Sequence, residues 1–417
     1  MAEWSRRDLM RTGGSAACAA ILARGGTAFA ASTGRSGYGE LFATLERITK
    51  ELPVPQINAA IVKDGQIPFA AAIGYADVED RREVNRRTIQ NFGSTTKPVT
   101  MTAALQLVER GELYLAADIS DVLGFQVRNP AFPQTAITLE QLLSHRSSVN
   151  DDDRYDLAYR CGTDGPSLAE WLAGYFAPEG SGESFHPWEP GNAEGTRGYS
   201  NVGYGLIGLL VERASGLSFE DYCERHIFEP LTMRRTCFSL DAADANLAVP
   251  YTVMPKWFVP EKHFRGRFAR LSKQSLEERP MRVGDVRPFC QYSLPTAPDG
   301  GMRSNAAEFS HFIAAWANGG QDPMTGARIL ESDTIARAIG EGGERPIGWS
   351  RKEHYFGDDD RQLPGGPLIC HNGADPGVGS FAGFRPDTGQ GVVFAFNRWF
   401  MDDVANIILE AMLPYLD

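Results

Sequence analysis

Ser94-Thr95-Thr96-Lys97 heads an apolar run that reaches Arg110, and the fold is read outward from this stretch. The spacing predicts a helix over 95–110, with Val99, Ala103 and Leu107 on one face and Gly111 as the stop. A Ser and a Lys three residues apart share a helical face. A serine hydroxyl is a poor nucleophile until a neighbouring base takes its proton. An amine in a partly dry pocket has a lowered pKa and suits that task. The positive end of the helix favours both a developing oxyanion and a neutral lysine. The tetrapeptide alone is a weak signal, because a capping serine beside a solvated lysine reads the same way.

Two further motifs follow it in order. Tyr199-Ser200-Asn201 opens a second expected helix over 202–214, whose Ile207, Leu210, Val211 and Ala214 share a face, with Gly216 behind. A phenol can carry a proton between a nucleophile and a leaving group. An Asn amide can orient both a lysine and a substrate carbonyl. His371-Asn372-Gly373 comes at the end of an expected strand over 367–370. A donor side chain followed by Gly at a strand edge lets a substrate backbone lie alongside.

Further out, Leu41, Leu45 and Ile48 predict a helix over 38–52 that Pro53 and Pro55 stop. Strands are expected over 57–62 and 69–75 around Asp64-Gly65, and over 380–384 and 391–396 around Pro386-Asp387-Thr388-Gly389. A closing helix is expected over 402–413. Strands thus sit at both ends and helices in the middle. The expected class is α+β: one composite domain over 31–417, with an antiparallel sheet from residues near 55–90 and 367–398 flanked by helices. A mostly helical region is inserted over about 100–310, and the cleft lies between the two parts. No internal repeat is found. The stretch from Tyr251 to Asp299 fits no period and carries nine basic residues against five acidic ones. It reads as a surface excursion or as a cleft wall whose arginines receive an anionic substrate end.

Residues 1–30 read as an address rather than a fold. Arg6-Arg7 within Ser5-Arg6-Arg7-Asp8-Leu9-Met10 is a twin-arginine export pattern, followed by a weakly apolar stretch and Ala28-Phe29-Ala30, a small-x-small cleavage site. Lipidation at Cys18 is disfavoured by the small residues before it. The expectation is an exported, periplasmic or secreted protein. Of 417 residues, 41 are basic and 53 acidic, giving −12; removing 1–30 leaves 37 and 51. An acidic surface argues against nucleic-acid binding. No apolar run is long enough to span a membrane. Beyond residue 30 the cysteines are 161, 223, 237, 290 and 370, an odd number with no C-x-x-C pair, so at least one thiol is free in a monomer and no bridge is drawn.

With these motifs in place, the chain resembles the penicillin-recognising serine hydrolases: class C β-lactamases, DD-peptidases, D-aminopeptidases and family VIII esterases. Leu142-Leu143-Ser144-His145-Arg146-Ser147-Ser148 resembles that family's Leu-Leu-x-His-Thr-Ser-Gly, with Arg146 and Ser148 as departures. Tyr199 to Gly208, Glu229-Pro230-Leu231 with Met233 and Thr236, and Gly300-Gly301-Met302-Arg303-Ser304 match further family segments. The resemblance implies that Ser94 is the acylated nucleophile, that Lys97 and Tyr199 share proton transfer, and that Asn201 positions Lys97 and substrate. It further implies an oxyanion hole from the backbone N–H groups of Ser94 and Ala374. His371, with Gly373, stands where class C β-lactamases carry Lys-Thr-Gly, which lowers the expectation of a dedicated β-lactamase.

Other motifs have plainer readings. Gly203-x-Gly205-x-x-Gly208 has no strand before it, so its glycines are read as close helix packing rather than a dinucleotide site. The seven His are scattered, and no His-Glu-x-x-His is present, so zinc catalysis is not expected. His145 reads as a structural brace. Asp151-Asp152-Asp153 lacks the spaced ligands of a calcium loop and reads as a solvated turn. Trp188 reads as core packing or as lining for an acyl pocket. The expectation is a serine hydrolase without metal or organic cofactor, cleaving a small-molecule carboxylic ester or small peptide amide. The alternatives are a DD-peptidase or D-aminopeptidase acting on cell-wall peptides, then a β-lactamase, then an inactive ligand sensor. Nothing in the sequence speaks to assembly.

Overall fold

In the computed structural model the described residues are 29–30, 37–177, 187–188, 198–241, 246–253, 270–272, 285–341, 346–398 and 402–416. The expected export segment lies outside them apart from Phe29–Ala30. So does most of the 251–299 excursion.

The principal sheet has eight strands: β1 (Phe29–Ala30), β2 (Gln56–Lys63), β3 (Gln66–Asp77), β4 (Arg82–Glu83), β5 (Ser350–Lys352), β6 (Leu368–Asp375), β7 (Val378–Arg385) and β8 (Gln390–Phe396). Their order is β1-β3-β2-β8-β7-β6-β5, with β4 on β3, and every pairing is antiparallel. The seam between the two ends of the chain is β2 against β8, from Ile57 opposite Phe396 to Val62 opposite Gly391. The sheet is therefore assembled from both ends of the chain, as expected. β5, with its sequence Ser-Arg-Lys, carries no apolar alternation and was not expected.

Alternation along the strands builds two cores. Ile57, Ala59 and Ile61 of β2, with Val392, Phe394 and Phe396 of β8, face one side. There they meet Leu41, Leu45 and Ile48 of helix α1 (Gly39–Glu51) and Val404, Ile408 and Leu409 of the closing helix α7 (Asp402–Met412). Ala60, Val62, Val393 and Ala395 point the other way, into a larger core shared with the inserted helices.

Within that insert, α2 (Lys97–Glu109) is buried almost all round, from Lys97 to Leu105. It packs against α5 (Asn201–Ser215). Further helices are α3 (Leu139–Leu143), α4 (Asp153–Ala158) and α6 (Ala306–Ala317). The α5 glycines do what the sequence suggested. A Cβ at Gly208 would run into Pro298, and one at Gly205 would press Thr296 Cγ2 at 3.0 Å. Their absence lets the segment 296–300 lie directly on α5.

One cystine ties the insert together. Cys161 and Cys290 form a disulfide across 129 residues, beside the short strand pair Arg160–Cys161 and Tyr292–Ser293. The spacing gave no hint of it, because the two cysteines become neighbours only through that pairing. Cys223, Cys237 and Cys370 are free thiols.

Candidate active site

The α-helix expected from residue 95 begins two residues later. Gly93–Thr96 is a 3-10 turn and the α-helix starts at Lys97. Gly93 has φ +51, a conformation that favours glycine. In a 3-10 turn residues three apart eclipse one another. Ser94 and Lys97 therefore point the same way, and Lys97 Nζ lies 3.2 Å from Ser94 Oγ.

Lys97 is fully buried. Besides Ser94, its Nζ donates to Asn201 Oδ1 at 2.6 Å and to the Asp299 carbonyl oxygen at 2.8 Å. It also stands 4.9 Å from the centroid of the Tyr199 ring. The Tyr199 hydroxyl donates to Ser94 Oγ at 2.9 Å. Tyr199 is 46 % exposed, so its hydroxyl faces the cleft while its ring rests on His145, with centroids 4.5 Å apart. His145 accepts from the Ser200 N–H through Nδ1 at 3.2 Å and sits at φ +56. It braces the tyrosine.

Asn201 is aimed by a residue read from sequence as part of a solvated turn. Asp151 accepts from the backbone N–H groups of Asn201 and Val202, from the Asn201 side-chain amide and from Ser200 Oγ, all at 2.8–2.9 Å. It thus satisfies the first donors of α5 and turns the Asn201 oxygen toward Lys97. Its neighbour Asp152 caps α4 instead.

The expected strand over 367–370 is longer than its apolar pattern, because β6 continues through His371 to Asp375. The turn at Pro376-Gly377 holds Asp375 opposite Val378 of β7. On the other side β5 pairs only as far as Ser350 opposite Cys370. From His371 onward that edge of β6 faces the Ser94 turn. The approach is very close. A Cβ at Gly373 would overlap Phe92 O and Ser380 Oγ and stand 3.0 Å from Ser94 N, and one at Gly93 would stand 3.3 Å from Ala374 N. Two glycines thus let the segment carrying the Ser94 amide and the segment carrying the Ala374 amide lie against each other. Ser380 Oγ donates to Phe92 O at 2.6 Å and fastens β7 to the same turn.

These groups line a cavity of about 430 Å³: Ser94, Tyr199, Asn201, His371, Asn372 and Ala374, with Ser350 at its margin. All seven residues singled out from sequence, Ser94, Lys97, Tyr199, Asn201, His371, Gly373 and Ala374, come together here. His371 Nδ1 is 2.8 Å from the Asn372 carbonyl oxygen. Through His371 and Ser350 the cleft opens into a larger hollow of about 990 Å³ that includes Arg146, Trp349 and Arg351. Trp188 packs on Phe176, with centroids 5.4 Å apart, and does not line the cavity. Of the excursion's arginines, Arg287 is buried and Arg270 is exposed, and neither lines the cavity; Arg265, Arg267, Arg279 and Arg282 lie outside the described residues.

Sequence reasoning missed the opposite wall. Asp299, Tyr155, Tyr159 and Asp375 line it, from three separate parts of the chain. The Tyr155 hydroxyl donates to Asp299 Oδ1 at 2.9 Å, the two tyrosine hydroxyls are 3.2 Å apart, and Tyr159 donates to Asp375 Oδ1 at 2.7 Å. Burial pushes the Asp299 carboxyl up to about 7, against the pull of Lys97. The signal was present only as adjacency: Asp299 precedes Gly300-Gly301, and Asp375 follows Ala374. Among the described residues no group of His, Cys, Asp and Glu is placed to hold a metal ion. No described helix is long and apolar enough to cross a membrane.

Residues 42–413 match the family model described as Beta-lactamase. Penicillin-binding protein 4 of Amycolatopsis lactamdurans is 25% identical over 358 residues, covering 84% of this chain and 82% of that one. Penicillin-binding protein 4* of Bacillus subtilis is 28% identical over 191 residues, covering 43% of this chain and 38% of its own length. The match therefore spans well under half of that relative. The octameric penicillin-binding protein homologue from Pyrococcus abyssi has the same fold, with a TM-score of 0.66 at 22% identity over 91% of this chain and 78% of that chain.

Proposed function

The chain belongs to the beta-lactamase family of serine hydrolases, and on that premise we propose that it cleaves a carboxylic ester or small peptide amide through an acyl-enzyme on Ser94. One observation carries the reading: Ser94 Oγ touches both Lys97 Nζ and the Tyr199 hydroxyl. Ser94 Oγ attacks the carbonyl carbon and passes its proton into the Lys97–Tyr199 pair. The carbonyl oxygen becomes an oxyanion held by the backbone N–H groups of Ser94 and Ala374, a contact that strengthens as charge develops. The bond to the leaving group breaks, and the leaving atom takes a proton from Tyr199. Water then attacks the Ser94 ester, gives its proton to the same pair, and frees the acid and Ser94. Asn201 fixes Lys97, and the open edge of β6 is where substrate backbone lies. That edge also favours a peptide substrate as the second reading.

We also propose that the protein is exported. The twin-arginine pattern supports this, and so does the Cys161–Cys290 bridge, since disulfides persist in oxidising compartments. The test of the function is a hydrolysis panel on the purified protein and Ser94→Ala: p-nitrophenyl butyrate, a D-Ala-D-Ala peptide, D-Ala p-nitroanilide and a chromogenic cephalosporin. Turnover of the ester or a small amide that vanishes in Ser94→Ala is expected. Turnover that survives in the variant refutes the assignment.

A further inference from the structure

The wall formed by Tyr155, Tyr159, Asp299 and Asp375 takes no part in the chemistry above. Tyr159 and Asp375 are 1 % and 3 % exposed. The Tyr159 hydroxyl donates to Asp375 Oδ1 at 2.7 Å and lies 3.2 Å from the Tyr155 hydroxyl, which donates to Asp299 Oδ1. Asp375 follows directly on Ala374, and Asp299 holds Lys97 through its carbonyl oxygen. One phenol is therefore tied to both Ala374 and the lysine. A second tyrosine reaches the same turn. The Tyr292 hydroxyl donates to Pro376 O at 3.0 Å, and its ring lies 5.7 Å from that of Tyr159, centroid to centroid.

Both tyrosines are rooted in one small ribbon. Arg160 pairs with Ser293 and Cys161 with Tyr292, antiparallel. Two strands of two residues hold poorly alone. Here the Gly162 N–H donates to Gln291 O at 2.9 Å, Ser293 Oγ donates to Gly162 O at 2.5 Å, and the Cys161–Cys290 cystine closes the pair covalently. Cys161 is exposed and Cys290 half-buried, so the cystine is open to a dithiol reductant.

We infer that Tyr159 is a positioning residue for the Ala374 N–H and for Lys97, and that the Cys161–Cys290 cystine is the latch that holds it there, so that the site is fully assembled only in the oxidised protein. This rests on the acyl-enzyme reading and deepens it. Closing the latch joins two thiols, which lose two protons and two electrons to a disulfide oxidant that is itself reduced to two thiols. In a reducing cytosol the latch stays open. Export would therefore carry the hydrolase from a slack to an assembled state.

Phosphonylation of Ser94 by a fluorophosphonate tests the latch without a choice of substrate, because the phosphoryl oxygen takes the place of the oxyanion. Its second-order rate constant would be measured on the oxidised protein and after dithiothreitol, at a temperature where melts show the reduced protein folded. Reduction should slow labelling ten-fold or more, and re-oxidation with glutathione disulfide should restore it. Cys161→Ser should label at the reduced rate with or without dithiothreitol. Tyr159→Phe keeps the ring and loses only the hydroxyl. It should label slowly when oxidised, and reduction should then slow it less than two-fold further, because both changes remove one coupled contact. A cystine that only stabilises the fold would lower the melting temperature and leave the labelling rate of the folded protein unchanged. That result overturns the inference, as do losses from Tyr159→Phe and from reduction that multiply independently. If Tyr159→Phe does not fold, the reduced protein and Cys161→Ser still decide. No labelling of the oxidised wild type refutes the hydrolase reading and the latch with it. Labelling indifferent to the cystine loses the latch and keeps the hydrolase.

Discussion

At the residue scale, small groups set the geometry. Gly373 is required because any Cβ there would overlap Phe92 O and Ser380 Oγ and crowd Ser94 N. Gly373→Ala is expected to push β6 off the Ser94 turn and cost roughly 100-fold or more in kcat, the scale of a lost oxyanion donor; steady-state kinetics with thermal melts separates this from unfolding. Asp151 holds four donors at the head of α5. Asp151→Ala should lower stability by about 2–3 kcal/mol, as expected when a charged acceptor leaves buried donors unpaired. It should also lower kcat, because Asn201 is then free to turn from Lys97; denaturant melts and turnover read the two effects. Asp299 yields a pH prediction. Burial raises its folded carboxyl from 3.8 to about 7, with Tyr155 and Thr296 hydrogen bonding and Lys97 opposing the rise and Asp151 adding to it. The folded state then binds the proton more tightly than the unfolded chain. This contribution to stability is fully present below about pH 4 and is lost as pH rises through 7, up to roughly 4 kcal/mol. Melting temperature followed from pH 4 to 8 should fall more steeply in the wild type than in Asp299→Asn; parallel curves contradict it.

At the element scale, the strongly patterned pieces were legible. Leu41, Leu45 and Ile48 announced α1, and the face from Ile207 to Ala214 announced α5. What escaped was whatever tertiary contact decides. The start of α2 moved because the left-handed Gly93 forces a 3-10 turn, which periodicity does not encode. β6 outran its apolar run because its far half, His371 to Asp375, pairs with β7 on one side while its other edge stays open to the cleft. β5 has no apolar pattern at all. The contact of α5 with segment 296–300 carries its own prediction. Gly208→Val should overpack against Pro298, cost about 1–3 kcal/mol, and shift the Asp299 carbonyl from Lys97. A lower melting temperature together with a lower kcat is expected, and an unchanged kcat contradicts the coupling.

At the scale of the whole molecule, the sheet built from the two ends of the chain was readable, because alternating strands lay at both ends with helices between. The seven residues around Ser94 were readable through their motifs. The acidic wall was not, since Tyr155, Asp299 and Asp375 lie far apart in sequence and share no pattern. The Cys161–Cys290 bridge was invisible for the same reason. Closing a loop of 129 residues restrains the unfolded chain, so reduction should destabilise the protein by about 2–4 kcal/mol. Melts with and without dithiothreitol check this, and Cys161→Ser should match the reduced protein.

The central claim is that Ser94 carries the acyl group. The direct measurement is intact-protein mass after reaction with an acylating probe, followed by peptide mapping. One adduct is expected, on the peptide containing Ser94, and none in Ser94→Ala. An adduct on another residue, or none on the folded wild-type protein, contradicts it.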